Sequence, residues 1–170
     1  MAAAADPSDL DEARMRQAIE EARKALALDE TPVGAVVVAP DGRVAGAGFD
    51  QRMRLKDPTA HAEIFAIREA ARDQGDWRLD GYDLYVTLEP CPMCAGAILQ
   101  ARIRRVVWGA DSPKAGAVVS RMRMFDVEGL NHRVEYRGGV LAQSCGEMLS
   151  AYFSSHRRRK NGETQENPNV

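Results

Sequence analysis

Three cysteines in 170 residues are too few for a disulfide framework, and their odd number leaves one thiol over. Two of them stand three apart, which suits a metal or redox site in a reducing compartment, so the cytoplasm is the expected location. No apolar run approaches the length that crosses a bilayer, and the Ala-rich start lacks the basic region and long apolar core of a secretory signal, so no membrane partner is expected. An excess of charge of one sign is missing too. With 23 Lys and Arg against 25 Asp and Glu, the net charge of -2 gives no global pull toward phosphate. Nucleic-acid contact would have to come from local clusters such as Arg102, Arg104 and Arg105, or Arg157 to Lys160. What the chain does have is 45% hydrophobic residues over a length that suits one domain with a full core. That domain is expected over residues 1–159, with 1–6 frayed and the polar residues 160–170 a disordered tail.

The pattern of elements alternates. Asp6-Pro7-Ser8-Asp9 offers a cap, a first-turn proline and acids, and Leu10, Met15, Ala18, Ile19, Ala22 and Leu26 continue at helical spacing. Val33 to Ala39, the turn Pro40-Asp41-Gly42 and Val44 to Phe49 read as a hairpin, in which Gly46 and Gly48 mark an edge or a close approach. A polar loop over 51–57 leads to a helix from about Ala60 to Arg72. A strand over Leu84 to Leu88 runs into Pro90-Cys91, and a helix continues to Ala101 with Pro92 in its first turn. Val106 to Trp108 is a buried-type strand. A short helix near Val118 to Met124, a strand around Arg133 to Tyr136 and a long helix from about Leu141 to His156 follow. Strands alternating with helices imply an α/β layered sheet covered on both faces, with ligands at the carboxyl ends of strands.

Pro90-Cys91-Pro92-Met93-Cys94 opens a helix at such an end, directly after the Leu84 to Leu88 strand, and Pro58-Thr59-Ala60-His61-Ala62-Glu63 opens the preceding helix. Residues two apart diverge in mid-helix, but His61 and Glu63 in a first turn can reach one point off the helix end. Cys91 and Cys94, three apart, share a face. One imidazole and two thiolates suit zinc, and a catalytic zinc keeps its fourth position for a water whose pKa it lowers to about 7. Glu63 is then left for proton transfer. The competing reading is a closed structural zinc site, or a redox C-x-x-C with an unrelated His. A closed site needs a fourth ligand, whereas His132 and His156 lie far downstream and Cys145 takes an apolar position in the last helix.

The paired H-A-E and P-C-x-x-C signature is that of zinc nucleobase deaminases. Pro32 to Val36, Asp57 to Glu63, Thr87 to Cys91, Met93 to Ile98, Asn131-His132-Arg133, Gly139-Val140-Leu141, Cys145 and Tyr152-Phe153 extend the likeness over residues 10–159. In these segments the chain resembles the bacterial tRNA-specific adenosine deaminases of the cytidine/deoxycytidylate deaminase superfamily. The resemblance implies a three-layer α/β/α sandwich on a five-stranded mixed sheet. It implies a homodimer with one zinc per subunit, held by His61, Cys91 and Cys94, with Glu63 as proton donor. The reaction implied is hydrolysis of the wobble adenosine of a tRNA anticodon stem-loop to inosine. The candidate substrate-binding residues are Val33, Asp50, Gln51, Ala62, Lys114, His132, Tyr152 and Phe153.

Several of these positions have a bland alternative. Asp50 stands where the family carries Asn; an ionised carboxylate only accepts hydrogen bonds, so Asp50 is either a pocket residue with altered base preference or a turn residue, and Gln51 can supply the amide instead. Ser112 replaces an acid of the best-known members. Lys114 meets a phosphate or only solvent, and so do Arg121 and Arg123. His132 touches substrate or is a satisfied structural histidine. Tyr152-Phe153 before the basic run can stack a base, or one ring packs in the core and the run is a solvated helix end. Two other functions compete: deamination of a free base or nucleoside of guanine or cytosine type, and a silent RNA-binding or structural subunit. Glu63 argues against the last, because a purely structural zinc site has no use for it.

Overall fold

The computed structural model describes residues 7–163, with side chains for residues 8–159. Helix α1 (Pro7–Ala27) leads into the hairpin β1 (Gly34–Val38) and β2 (Val44–Phe49). A short helix α2 (Arg52–Leu55) precedes α3 (Ala62–Gln74), β3 (Asp83–Leu88), α4 (Pro92–Ala101) and β4 (Arg105–Ala110). A 3-10 turn at Met124–Asp126, the strand β5 (Glu135–Arg137) and α5 (Ala142–Glu163) complete it. The five strands lie in the order β2-β1-β3-β4-β5. β1 is antiparallel to both neighbours, whereas β3, β4 and β5 are parallel. The expected mixed sheet of five strands is present.

Strand alternation sorts the core into two layers. Ala35, Val37, Leu84, Val86, Val106 and Trp108 point to the side of α3 and α4, and meet Ala62, Ala66, Ala70, Ala95 and Ile98. Val36, Val38, Tyr85 and Val107 point the other way, onto Met15, Ala18 and Ile19 of α1 and Cys145 of α5. The two glycines of β2 have both expected causes: β2 is the edge strand, and α3 lies directly on it. A Cβ at Gly46 would stand 2.1 Å from the Ala66 carbonyl oxygen, and one at Gly48 2.6 Å from that of Ala62. This contact sets where α3 begins relative to the sheet, and so where His61 stands.

Two segments differ from expectation, for the same physical reason: a buried carboxylate takes up backbone N–H groups. The polar loop over 51–57 contains α2, whose Met53 and Arg54 N–H groups donate to Glu30 at 3.2 and 2.5 Å. Val118 to Met124 is a series of turns instead of a helix, because Val118, Val119 and Ser120 donate their N–H groups to Glu89 at 3.1, 2.8 and 3.0 Å. The helix α5 runs on to Glu163, past the boundary expected at 159. The expected frayed start (1–6) and the end of the tail (164–170) lie outside the described residues.

The cluster Arg102, Arg104 and Arg105, one of the two candidates for phosphate contact, is engaged by partners within the chain. Arg102 donates to Asn131 at 2.8 Å, Arg104 grips Asp83 at 2.9 and 2.6 Å, and Arg105 grips Asp11 at 2.9 and 2.8 Å. Asp11, buried on α1, also accepts from Arg137 of β5 at 2.8 Å and from the Tyr85 hydroxyl of β3 at 3.1 Å, so one carboxylate ties α1 to three strands. Burial alone would raise its carboxyl; Arg105, Tyr85 and Arg137 outweigh that and hold it below the usual carboxylate range. Such a group contributes stability that is complete above its unfolded value of about 4 and is lost as pH falls through the lower folded value. Asp11→Ala is expected to cost about 2–3 kcal/mol at pH 7, less than a fully buried pair because Arg137 is partly exposed. In urea unfolding the gap between wild type and variant should narrow on acidification below about pH 4.

Candidate metal centre and active site

His61 is the N-cap of α3 and Cys91 the N-cap of α4, both in extended backbone, with Pro92 opening α4. The approach to His61 is shaped locally: the Thr59 N–H and hydroxyl both donate to Asp57 Oδ1, at 2.8 and 2.7 Å, and the His61 N–H donates to the Thr59 carbonyl at 2.7 Å. Across the gap His61 Nδ1 lies 3.6 Å from Cys91 Sγ and 3.5 Å from Cys94 Sγ. All three donor atoms lie within 4.8 Å of one another, and among the described residues no fourth protein donor joins them. Two sulfurs and an imidazole nitrogen are a zinc donor set, and three protein ligands are the number of a catalytic site.

The electrostatics of the cluster favour a thiolate at Cys91. A hydrogen bond from Cys94 and the His61 ring beside it bring the Cys91 thiol down to about 4 against the cost of its burial, and the same bond pushes the Cys94 thiol up. The Cys91 sulfur raises His61 in turn. Two helix N-termini add positive ends at this point. Glu63, in the first turn of α3, is only 3% exposed. Burial pushes its carboxyl up to about 7, against its backbone N–H and the His61 charge. A carboxyl poised there both accepts and donates a proton near neutrality.

His61, Glu63 and Cys91 line a cavity of about 590 Å³, together with Val33, Asp50, Lys114 and Phe153 of the expected substrate set. The others lie outside its lining. Ala62 is fully buried under Gly48 in the core. The Gln51 side chain accepts from Arg54 at 3.1 Å, so its amide faces α2. His132 Nε2 is bonded to the Ile103 carbonyl at 2.7 Å, the arrangement of a structural histidine. Tyr152 is buried and its hydroxyl donates to the Asp29 carbonyl at 3.1 Å, while Phe153, in an edge contact with it, is 47% exposed at the cavity. One aromatic of the pair thus packs and the other is presented. Arg123 is held by Asp126 at 2.8 Å.

Sequence reasoning missed Arg52 and Glu89. Arg52 lines the cavity beside Asp50. Glu89 is 2% exposed and accepts the N–H groups of Ser112, Val118, Val119 and Ser120, together with the Ser120 hydroxyl. Its carboxylate therefore shapes the loop that carries Ser112 and Lys114 to the cavity. Gly116 is required for this, since a Cβ there would stand 2.2 Å from Glu89 Oε2. A Glu between a strand end and Pro90 was the available signal; its partners come from 23 to 31 residues away and carry no side-chain pattern.

A layered sheet with two helix starts delivering His, Glu and a Cys pair defines a zinc-dependent deaminase. Residues 8–110 match the family described as the cytidine and deoxycytidylate deaminase zinc-binding region. The tRNA-specific adenosine deaminase of Haemophilus influenzae is 49% identical over 160 residues, covering 94% of this chain and 92% of its own length. That of Bacillus subtilis is 45% identical over 150 residues, covering 88% and 92%. A solved tRNA:A34 deaminase superposes with a TM-score of 0.77 at 47% identity, covering 81% of this chain and 99% of its own. The guanine deaminase of Nitrosomonas europaea superposes with a TM-score of 0.71 at 26% identity, covering 89% and 86%. Within the zinc deaminases, the chain belongs to the tRNA-specific adenosine deaminases.

Glu89→Ala leaves four N–H groups without their acceptor and is expected to destabilise the fold by about 3 kcal/mol. Hydrogen exchange should accelerate at Val118, Val119 and Ser120 ahead of the β3 and β4 amides; unchanged exchange there would remove Glu89 as the organiser of the loop.

Proposed function

We propose that the protein hydrolyses the wobble adenosine of a tRNA anticodon to inosine, releasing ammonia. The convergence of His61, Cys91 and Cys94 beside a buried Glu63 in an open cavity carries this reading. Sequence identity of 49% over 94% of the chain supports the substrate class. On this reading the three donors hold one zinc ion per subunit, which supplies a Lewis acid and a nucleophile drawn from water at neutral pH. Glu63 takes a proton from the attacking water and passes protons to the ring nitrogen and the departing amine, as a C–O bond replaces the C–N bond. Lys114 and Phe153 stand where a flipped nucleotide can meet a cation and a ring.

A homodimer fits the exposed apolar surface. α2 buries none of its residues and presents Met53 and Leu55, while the 119–127 segment presents Val119, Met122 and Val127. Among the described residues no helix is long and apolar enough to cross a membrane, and a tRNA substrate would place the enzyme in the cytoplasm.

A second reading, a free-base deaminase of guanine type, is favoured by the carboxylate of Asp50 in the cavity wall and by the likeness to the guanine deaminase. The test supplies an anticodon stem-loop bearing a wobble adenosine alongside free guanine, cytosine and adenosine. Ammonia is expected from the stem-loop. Glu63→Ala should keep its zinc by elemental analysis while losing at least about 10²–10⁴-fold in rate. Turnover of a free base alone would establish the second reading.

A further inference from the structure

The cavity wall carries a charged pair that the catalytic cluster does not use. Asp50 is 3% exposed, and its backbone N–H is fixed on the Val33 carbonyl at 3.0 Å. Both oxygens of its carboxylate are turned onto Arg52. Oδ1 accepts the Arg52 backbone N–H at 3.2 Å and its Nε at 3.1 Å, and Oδ2 accepts Nε at 3.0 Å. The guanidinium in turn donates from Nη2 to the Thr31 hydroxyl oxygen at 3.2 Å.

The chemistry of the base makes the pair consequential. Adenine in a nucleoside offers three ring-nitrogen acceptors and one donor, the exocyclic amine that must face Glu63. Asp50 supplies acceptors only, so by itself it would oppose the ring nitrogens. Arg52 has five N–H donors, and its bonds to Asp50 and Thr31 engage Nε and one Nη2 hydrogen, leaving three. Its side chain is 43% exposed and lines the same cavity.

We propose that Asp50 and Arg52 act as one substrate-recognition unit, in which Asp50 positions the guanidinium and Arg52 donates to an acceptor nitrogen of the base. Asp50 is the positioning residue and Arg52 the contacting one. The inference rests on the deaminase reading above and adds to it the group that reads the base.

The test is a four-way comparison of wild type, Arg52→Ala, Asp50→Asn and the double variant Asp50→Asn/Arg52→Ala, with zinc content and thermal midpoint measured on each. The substrate is whichever of the stem-loop and the free bases the wild type deaminates. A wild type active on a free base alone overturns the tRNA reading and still leaves the pair open to this comparison. Arg52→Ala strands an acceptor-only carboxylate against the base and should raise KM by on the order of ten- to a hundredfold, with a smaller change in kcat. An Asn at position 50 carries its own amide donor, so the double variant should recover most of that loss. A merely structural role for Arg52 would lower the thermal midpoint and would not be rescued. The proposal is overturned by an Arg52→Ala enzyme within twofold of wild type in KM, or by a double variant no better than Arg52→Ala.

Discussion

Everything at the site depends on two helix starts being held to one point. His61 and Cys91 are both N-caps, in extended backbone just ahead of the first helical turn, which lets side chains from different helices reach a common position off the helix ends. That convergence brings two sulfurs and an imidazole nitrogen within 4.8 Å and leaves Glu63, in the first turn of α3, buried beside them. It is a costly arrangement for the residues concerned, since burial works against every charged form in it. At Cys91 the hydrogen bond from Cys94 and the His61 ring outweigh that cost, whereas at Glu63 the cost prevails. The result is a carboxyl near 7 next to a thiol near 4.

The rest of the fold sets the distance between those two helices. α3 lies so close on β2 that glycine is needed at 46 and 48, and α4 follows β3 after only Glu89-Pro90-Cys91. On the opposite face Asp11 ties α1 to β3, β4 and β5, so the sheet that carries the helices is braced from behind. Two further carboxylates, Glu30 and Glu89, gather the backbones of α2 and of the 112–120 loop and so build the rim of the cavity. Three buried acids thus do structural service around a fourth, Glu63, whose environment suits it to move protons.

The sheet, its helices and the ligand set were legible in the sequence because each has a local signature: alternating Val and Leu runs, helical spacing, and H-A-E and P-C-x-x-C at helix starts. The glycines of β2 announced a close approach without naming α3 as its source. The rim was not legible. α2 and the turns over 118–124 owe their shape to carboxylates distant in sequence, and helix propensity in Val118 to Met124 was overridden once its N–H groups turned to Glu89. For the same reason Arg102, Arg104 and Arg105 looked available for phosphate until their acceptors were found. The basic cluster is a brace, and the cavity wall is where the informative charge lies.

Zinc X-ray absorption on the purified holoenzyme tests the central claim most directly. The account predicts two sulfur neighbours and one imidazole nitrogen from the protein, plus one light-atom neighbour that is exchangeable. A shell made wholly of protein donors, or one with fewer than two sulfurs, would contradict it.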